Sequence, residues 1–257
     1  MKEKVIIASE YADDDSLNDF IHTLPSSFGQ CPEVLWSGRN EVRALSLHSG
    51  RQIVVKRFKS PMLIQQLGYL FRTHKARKAY LNAQELLRRG IDTPHPVACI
   101  LHYRQCLIHD AYYISLRNDN PPIEDLLYRD DWDEDLAKAF ALFAATLHRR
   151  GILHHDLNDT NVRYARNADG EYQFSLIDIN RMSFYDHLED IPMKERIENI
   201  TRFTNRANLF EYVAREYALS FGLDITTWLP RAVRQKKKHD INRYRRKRLV
   251  HPLRYRK

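Results

Sequence analysis

Long apolar runs are missing from this sequence. The longest apolar stretch, AFALFAATL at Ala139–Leu147, is far shorter than the roughly 18 residues that a membrane-spanning helix needs. The N-terminal sequence MKEKVIIASEYADDD turns acidic at once and lacks the apolar core and small-residue cleavage site of a signal peptide. We therefore expect a chain that neither spans a membrane nor carries a secretion signal.

Cysteine and glycine are also scarce. The three cysteines, Cys31, Cys99 and Cys106, form no CxxC pair, which argues against a zinc cluster and fits a reducing cytoplasm. The eight glycines include no G-x-G-x-x-G loop, and in the strand-like region only Gly38 and Gly50 flank the strands. A glycine-rich phosphate-binding loop of the usual kind is therefore absent.

Positive charge is present in excess and is concentrated at one end. The whole chain carries a formal net charge of +8. Residues 231–257 hold 13 Lys/Arg against one acid, a net charge of +12, whereas residues 1–230 hold 28 Lys/Arg against 32 acids, a net charge of −4. Such a basic end predicts an anionic partner, which is a membrane surface, a nucleic acid or a polyanionic substrate.

The first part of the chain is predominantly strand-like. Residues 1–30 show no clear period, and we interpret them as a loose lead-in. Short alternating or β-branched runs between Glu33 and Phe58 predict strands, and a two-part helical stretch follows from Pro61 to Arg89. The runs VACILHY and QCLIHDAYYISL then predict a hairpin that turns at Arg104.

The second part is predominantly helical. An apolar stripe predicts a helix that ends near Arg150, with Asp131 or Asp133 as its N-cap. Two strands around an Asp169-Gly170 turn come next, and helical patterns continue from Met193 to about Gln235. We expect an α+β protein with a small β-rich lobe and a larger α-rich lobe. The predicted segments are an N-terminal lobe at 1–114, a connector at 115–122, a C-terminal lobe at 123–235 and a basic tail at 236–257.

Four charged or polar residues recur at intervals that suit phosphoryl transfer. That reaction needs a carboxylate to orient the attacking hydroxyl, oxygen ligands for Mg²⁺ and a cation on the nucleotide phosphates. The stretch GILHHDLNDTN contains H-x-D-x-x-x-x-N, the spacing of a kinase catalytic loop, with Asp156 and Asn161 at its two key places. LIDIN places Asp178 directly after a strand, and IVVKRF places Lys56 on one.

With these motifs the chain resembles the protein-kinase-like superfamily, and more closely the lipopolysaccharide core kinases of the Kdo kinase/WaaP group. GIDTPHPVA after the first long helix and LIDINRM, which has ID-x-N in place of D-F-G, belong to the same resemblance. It covers roughly residues 34–215. The resemblance implies a two-lobed kinase-like fold, with ATP bound in the cleft near the Ser115–Pro122 connector.

The resemblance also assigns roles. Asp156 would accept or orient the proton of the acceptor hydroxyl. Asn161 and Asp178 would hold Mg²⁺, which prefers oxygen ligands, and Lys56 would contact the α- and β-phosphates of ATP. His154 would hold the loop by hydrogen bonds.

Three departures from the family pattern stand out. Without the glycine-rich loop, the phosphates would rely on backbone amides near SGRNEVR, together with Arg39. Glu85 is the one acid in KARKAYLNAQELLRR, so it is the default partner of Lys56. Asn158 stands where many protein kinases have lysine, which weakens an interpretation as a protein kinase.

Each of these residues also has a purely structural interpretation. Asp156 and Asn161 suit turns, and Asp178 suits the end of a strand. Lys56 could protect an edge strand, and Glu85 could be an ordinary solvated helix residue.

Together these observations favour an ATP- and Mg²⁺-dependent kinase that phosphorylates a sugar hydroxyl of the lipopolysaccharide inner core, with Kdo as the first choice and heptose as the second. Such an enzyme would be cytoplasmic and peripheral to the inner face of the bacterial inner membrane. The basic tail would contact anionic lipid, an interpretation that we prefer to a nucleic-acid arm or a solvated end. The alternatives are a RIO-like protein kinase, a small-molecule phosphotransferase, and a pseudokinase adaptor that binds membrane or nucleic acid.

Overall fold

The computed structural model describes residues 2–38, 40–59, 69, 72–104 and 107–250. The chain divides into two compact units. The first contains residues 1–119 together with residues 178–181, and the second contains residues 120–177 and 182–257.

The first unit contains a six-stranded antiparallel sheet with the strand order β1-β5-β6-β4-β3-β2. Burial alternates along the first part of β4, where Ile53 and Val55 are fully buried and Lys56 lies on the other face. The strands are β1 (Lys2–Ile7), β2 (Glu33–Ser37), β3 (Asn40–Ser46), β4 (Gln52–Phe58), β5 (Pro96–Arg104) and β6 (Leu107–Leu116).

The interpretation of residues 1–30 as a loose lead-in is wrong. Strand β1 pairs with β5, and a nine-residue helix, α1 (Asp15–Thr23), follows it. The Asp14 carboxylate caps α1 by accepting a hydrogen bond from the backbone of Leu17 at 3.0 Å. The first half of β1 is exposed and charged, and α1 is short, so neither element shows a clear period in the sequence.

The second part of the predicted helical stretch is confirmed as α2 (Lys75–Arg88), whereas the first part, residues 61–71, lies outside the described residues except for residue 69. The imidazole of His74 caps α2 by accepting a hydrogen bond from the Ala76 backbone at 3.2 Å. Gly90, with φ of +70°, ends the helix. The predicted hairpin is confirmed as β5 and β6.

The second unit is mainly helical. Its helices are α3 (Glu124–Leu127), α4 (Glu134–Arg149), α5 (Met193–Ile200), α6 (Ala207–Ser220) and α7 (Ile225–Val250). Two short antiparallel pairs accompany them, namely β7 (Ile152–His154) with β10 (Met182–Phe184), and β8 (Val162–Arg166) with β9 (Tyr172–Leu176). The predicted strands around the Asp169-Gly170 turn are thereby confirmed.

Helix α4 forms the centre of this unit. Of the two predicted N-caps, Asp133 takes the role, because its carboxylate accepts a hydrogen bond from the Leu136 backbone at 2.7 Å. The predicted apolar stripe is confirmed, since Leu136, Phe140 and Leu147 are fully buried. Burial of such side chains stabilises a fold by about 1.5–3 kcal/mol each.

The C-terminal helix is longer than the sequence predicted. We expected helical structure to end near Gln235, but α7 continues to Val250, and residues 251–257 lie outside the described part. The Asp224 carboxylate begins the helix by accepting a hydrogen bond from the Thr226 backbone at 3.0 Å. Among the described residues, none of the helices has both the length and the apolar character needed to cross a bilayer.

Candidate active site

Lys56 and Asp178 form an ion pair within the first unit. Lys56 projects from β4, and its Nζ donates a hydrogen bond to Oδ1 of Asp178, two residues beyond the end of β9. Asn180 also donates from Nδ2 to the same oxygen at 3.3 Å. The structure therefore brings together the predicted phosphate-binding cation and one predicted metal ligand.

The backbone at Asp178 adopts an uncommon conformation. Its φ of +54° lies in the left-handed region, where aspartate and asparagine are tolerated better than most residues. The neighbouring Ile179 carbonyl accepts a hydrogen bond from Asn82 of α2 at 2.6 Å, which fixes this segment on the helix. Backbone strain of this kind clusters at functional sites.

Glu85 does not pair with Lys56, and the prediction of that pair is wrong. Its carboxylate instead accepts hydrogen bonds from Arg88 and Arg89, one turn further along α2, each at 2.6 Å. The hydrogen bond from Arg88, together with that from Arg89, lowers the pKa of Glu85 to about 2. Arg88 and Arg89 follow Glu85 by three and four residues, and this helical spacing favours ion pairs with them over a pair with the distant Lys56.

The predicted phosphate-binding role of Arg39 lies outside the described residues. Close by, the turn between β2 and β3 is closed by the Gly38 backbone, which donates to the Asn40 carbonyl at 3.0 Å. A Cβ atom at Gly38 would stand 3.0 Å from Nε1 of Trp36, so the indole packs directly against this glycine. A side chain at this position would therefore require the exposed Trp36 indole to move by a few tenths of an ångström.

The predicted catalytic Asp156 is half-buried in the second unit, directly after β7. The fully buried His154 holds its backbone, since Nδ1 of the imidazole accepts a hydrogen bond from the Asp156 N–H at 3.1 Å. The other ring nitrogen, Nε2, donates to the Ile177 carbonyl at 3.0 Å, which fixes the neutral tautomer. The predicted structural role of His154 is therefore confirmed.

Asn161 is oriented by the same loop. Its Nδ2 donates a hydrogen bond to the backbone carbonyl of Asp156 at 2.9 Å, so Oδ1 is the atom that it can offer to a cation. Asn158 closes the turn, because its Oδ1 accepts from the backbone of Asn161 at 2.9 Å. An amide oxygen at Asn161 and a carboxylate at Asp178 are the hard ligands that Mg²⁺ prefers, so both residues fit this ion.

A buried polar chain supports the catalytic loop, and sequence reasoning missed it. Asn199 of α5 donates from Nδ2 to the His154 carbonyl at 2.6 Å, and its Oδ1 lies 3.0 Å from Nε2 of His148. Nδ1 of His148 lies 2.7 Å from the hydroxyl of Tyr217. Burial lowers the pKa of His148 to about 4, so this imidazole is neutral at pH 7. The signal in the sequence that could have revealed this chain is His148, a histidine within the apolar stripe of α4.

Asp156 borders a cavity of about 760 Å³ in the second unit. Its lining is dominated by cations, with six Lys/Arg and only two acids, Asp156 and Glu198. The six basic residues are Lys194, Arg202, Arg231, Arg234, Lys238 and Arg243. Four of them belong to the basic end at residues 231–257, and two of these, Lys238 and Arg243, belong to the predicted tail at 236–257, so this basic segment contributes to the lining of the cavity beside the catalytic loop.

Solved structures place this fold among kinases. WaaP in complex with acyl carrier protein is similar with a TM-score of 0.59 and 15% identity, covering 91% of this chain and 98% of that one. The amicoumacin kinase hAmiN in complex with AMP-PNP, Ca²⁺ and Ami has a TM-score of 0.56 and 11% identity, covering 87% and 83%. Rio2 kinase from Chaetomium thermophilum has a TM-score of 0.47 and 14% identity, covering 86% and 76%, a likeness too low to support an argument.

The structure thus has a protein-kinase-like fold, as the sequence predicted. No curated protein matches the sequence. Residues 33–218, however, match the lipopolysaccharide kinase (Kdo/WaaP) family, and the chain belongs to that family. This confirms the resemblance seen in the sequence motifs.

Proposed function

We propose that the protein uses ATP and Mg²⁺ to phosphorylate a sugar hydroxyl of the lipopolysaccharide inner core, with Kdo as the preferred acceptor and heptose as the second candidate. The observation that carries this proposal is the cationic cavity beside Asp156. Kdo bears a carboxylate, whereas an unmodified heptose carries no charge. A cavity with six basic and two acidic residues favours the acidic sugar.

Asp156 acts on the acceptor. Its backbone is fixed by His154 and by Asn161, and among the described residues its carboxylate has no hydrogen-bond partner. The carboxylate can therefore accept a hydrogen bond from the sugar hydroxyl and orient it for attack. A positioned base of this kind contributes about 10²–10⁴-fold to the rate.

Lys56 binds the nucleotide phosphates, and Asp178 and Asn161 each offer an oxygen to Mg²⁺. When bound, the metal would neutralise negative charge on the phosphates. Lys56 and Asp178 pair with each other in this structure; with Mg-ATP bound, Lys56 would pair with phosphate oxygens and Asp178 would offer its carboxylate to the cation. The AMP-PNP and Ca²⁺ named for hAmiN support a nucleotide with a divalent cation.

We propose that the enzyme works at the inner face of the bacterial inner membrane, because its acceptor is attached to lipid A. Beyond the residues that line the cavity, α7 exposes Ile241 and Tyr244, which are 52% and 53% accessible, and the basic Arg245. Apolar and aromatic side chains interleaved with cations suit the headgroup zone of an anionic membrane.

Two alternatives fit the site less well. Asn158, which stands where many protein kinases have a lysine, binds the Thr160 hydroxyl at 2.8 Å and closes the loop, so it supplies no cation to a protein kinase mechanism. A pseudokinase adaptor has no need of Asp156, and the cavity beside this residue favours an acceptor over an inert scaffold.

The test is transfer of label from [γ-³²P]ATP to a panel of Kdo-lipid A, heptosylated core and a generic protein substrate, in the presence of Mg²⁺. We expect label on Kdo-lipid A. Label on the heptosylated core alone, with Kdo-lipid A unlabelled, would identify heptose as the acceptor. Label on the protein alone would overturn the proposal.

A further inference from the structure

One face of α7 presents three cations on successive turns. Arg231, Arg234 and Lys238 all line the cavity beside Asp156 and recur at helical spacing; we call them the α7 cationic face. Seven residues of an α-helix span about 10 Å along its axis. The backbone positions of the three cations therefore span about 10 Å of the cavity wall.

In the described part of the chain, this face lacks the acidic partners that some other cations in the second unit have. Among the described residues, Arg231, Arg234 and Lys238 have no acidic partner. By contrast, Lys236, on the opposite side of the same turns, is buried and binds Asp240 at 2.7 Å. Like charges held together without acids repel one another, and binding of an anion relieves that repulsion.

Helix α7 is held in place without help from these three residues. Gln235 donates from Nε2 to the Lys194 carbonyl of α5 at 2.9 Å, and the Trp228 indole donates to the Met193 sulfur at 3.3 Å. Trp228 and Ala232 are buried. The cationic face is therefore not needed to anchor the helix, and its charges are available to a ligand.

A single carboxylate is too small to engage this whole face. One carboxylate accepts a bidentate pair from one arginine, which leaves cations on neighbouring turns unmatched. A phosphate group carries up to two charges and three acceptor oxygens, and arginine binds it with its planar guanidinium fork.

We propose that the α7 cationic face binds a phosphomonoester carried by the acceptor, at a position separate from the hydroxyl that Asp156 orients. This inference rests on the proposed function, and it adds that the enzyme recognises a second anionic group besides the Kdo carboxylate. The face determines acceptor affinity and takes no part in the transfer of the phosphoryl group. A lipid A backbone with its glucosamine phosphates has the required chemistry.

The test compares two soluble acceptors, a deacylated Kdo-lipid A backbone with its phosphates and the same backbone after phosphatase treatment. For the wild-type protein, removal of the phosphates should raise KM by about tenfold and change kcat by less than about twofold. The double variant Arg234→Gln/Lys238→Gln should show the raised KM on the phosphorylated acceptor and little further change on the dephosphorylated one.

Lys237→Gln is the matched control. It removes one charge from the same turns of α7, but Lys237 is exposed and does not line the cavity. This variant should behave as the wild-type protein on both acceptors. Circular dichroism and a melting curve show whether each variant is folded.

Three results would overturn the inference. One is a wild-type KM that does not change when the phosphates of the acceptor are removed. Another is a loss of activity in the double variant that is equal on both acceptors. The third is that Lys237→Gln and Lys238→Gln weaken binding to phosphatidylglycerol vesicles equally and leave the kinetics on the soluble acceptors unchanged. That result would show that the charges of α7 bind the membrane surface instead of the acceptor.

A second measurement separates this inference from the proposed function. Titration calorimetry with the phosphorylated glucosamine disaccharide, which lacks Kdo, reports binding to the face without catalysis. Binding that is lost in the double variant and kept in Lys237→Gln supports the inference even if Kdo proves not to be the acceptor. Inorganic phosphate that binds as tightly as the disaccharide would overturn it in favour of a free-anion site.

Discussion

Asn199 donates a hydrogen bond from Nδ2 to the backbone carbonyl of His154 at 2.6 Å. His154 in turn accepts a hydrogen bond from the Asp156 backbone, so a residue of α5 fixes the loop that carries the catalytic carboxylate. All the groups between Asn199 and the loop backbone are buried. Asn199 is therefore a positioning residue, which acts through His154 without touching the substrate.

Asn199→Ala should lower kcat more than it changes KM. The substitution leaves the His154 carbonyl and the His148 ring nitrogen without this partner, which costs about 1–3 kcal/mol for each buried group. Kinetics and thermal melting are measured together at a temperature where the variant is folded. A variant that is less stable but keeps the wild-type kcat would show that Asn199 serves folding alone.

The pH dependence of stability follows from the buried His148. Its pKa in the folded protein is about 4, below the ordinary value of 6.5, so between these values the unfolded chain binds a proton that the folded chain does not. Stability should therefore fall as the pH is lowered from about 7 towards 4.

His148→Gln tests this assignment, since glutamine does not titrate. Its melting temperature should fall less than that of the wild-type protein between pH 7.5 and pH 5, even if the variant is less stable at pH 7.5. Substitution of the exposed His22 by Gln is the control and should leave the wild-type slope. Buried His74, whose pKa is also about 4, contributes to the pH dependence of the melting temperature in both proteins.

Asp178→Asn should weaken Mg-ATP binding by about tenfold or more while the fold is retained, because an amide offers the metal only a dipole. Asparagine tolerates the left-handed backbone at this position, so the change removes charge without adding strain. Asn161→Ala should weaken binding less. Titration calorimetry checks both variants against Asp186→Asn, an exposed control. Unweakened binding in both variants would contradict the metal assignment.

Glu85→Gln should leave the affinity for Mg-ATP within about twofold of wild type, whereas Lys56→Met should reduce it by about tenfold or more. The reason is that Glu85 binds Arg88 and Arg89 instead of Lys56. Loss of these helix-surface pairs should cost only about 0.3–0.5 kcal/mol each. A loss of nucleotide affinity in Glu85→Gln comparable with that in Lys56→Met would restore the pairing predicted from the sequence.

The motif residues could be predicted because their spacing is local. Asp156 and Asn161 lie in one loop, Lys56 lies on a recognisable strand pattern, and Asp178 follows another. Asn199 could not be found in this way, because its role arises only when α5 packs on β7 and brings it to a backbone carbonyl 45 residues earlier in the chain.

The cationic cavity was missed for a different reason. Nearly every position from Arg234 to Arg248 is polar, so the helical period of the residues that line the cavity is hidden among charges on the other faces. The sequence pattern therefore predicts a boundary at Gln235. In the structure the buried Lys236 and the cavity-lining Lys238 lie beyond that boundary, within one continuous helix.

The central claim is that the carboxylate of Asp156 directs phosphoryl transfer to a Kdo hydroxyl. The most direct measurement is the rate of label transfer from [γ-³²P]ATP to a soluble Kdo-containing acceptor by the wild-type protein and by Asp156→Asn, with Asp169→Asn of the β8–β9 turn as the control. We expect label on the Kdo residue, a loss of about 10²–10⁴-fold in kcat for Asp156→Asn with Mg-ATP binding intact, and wild-type kinetics for Asp169→Asn. Near wild-type turnover by folded Asp156→Asn on this acceptor would contradict it.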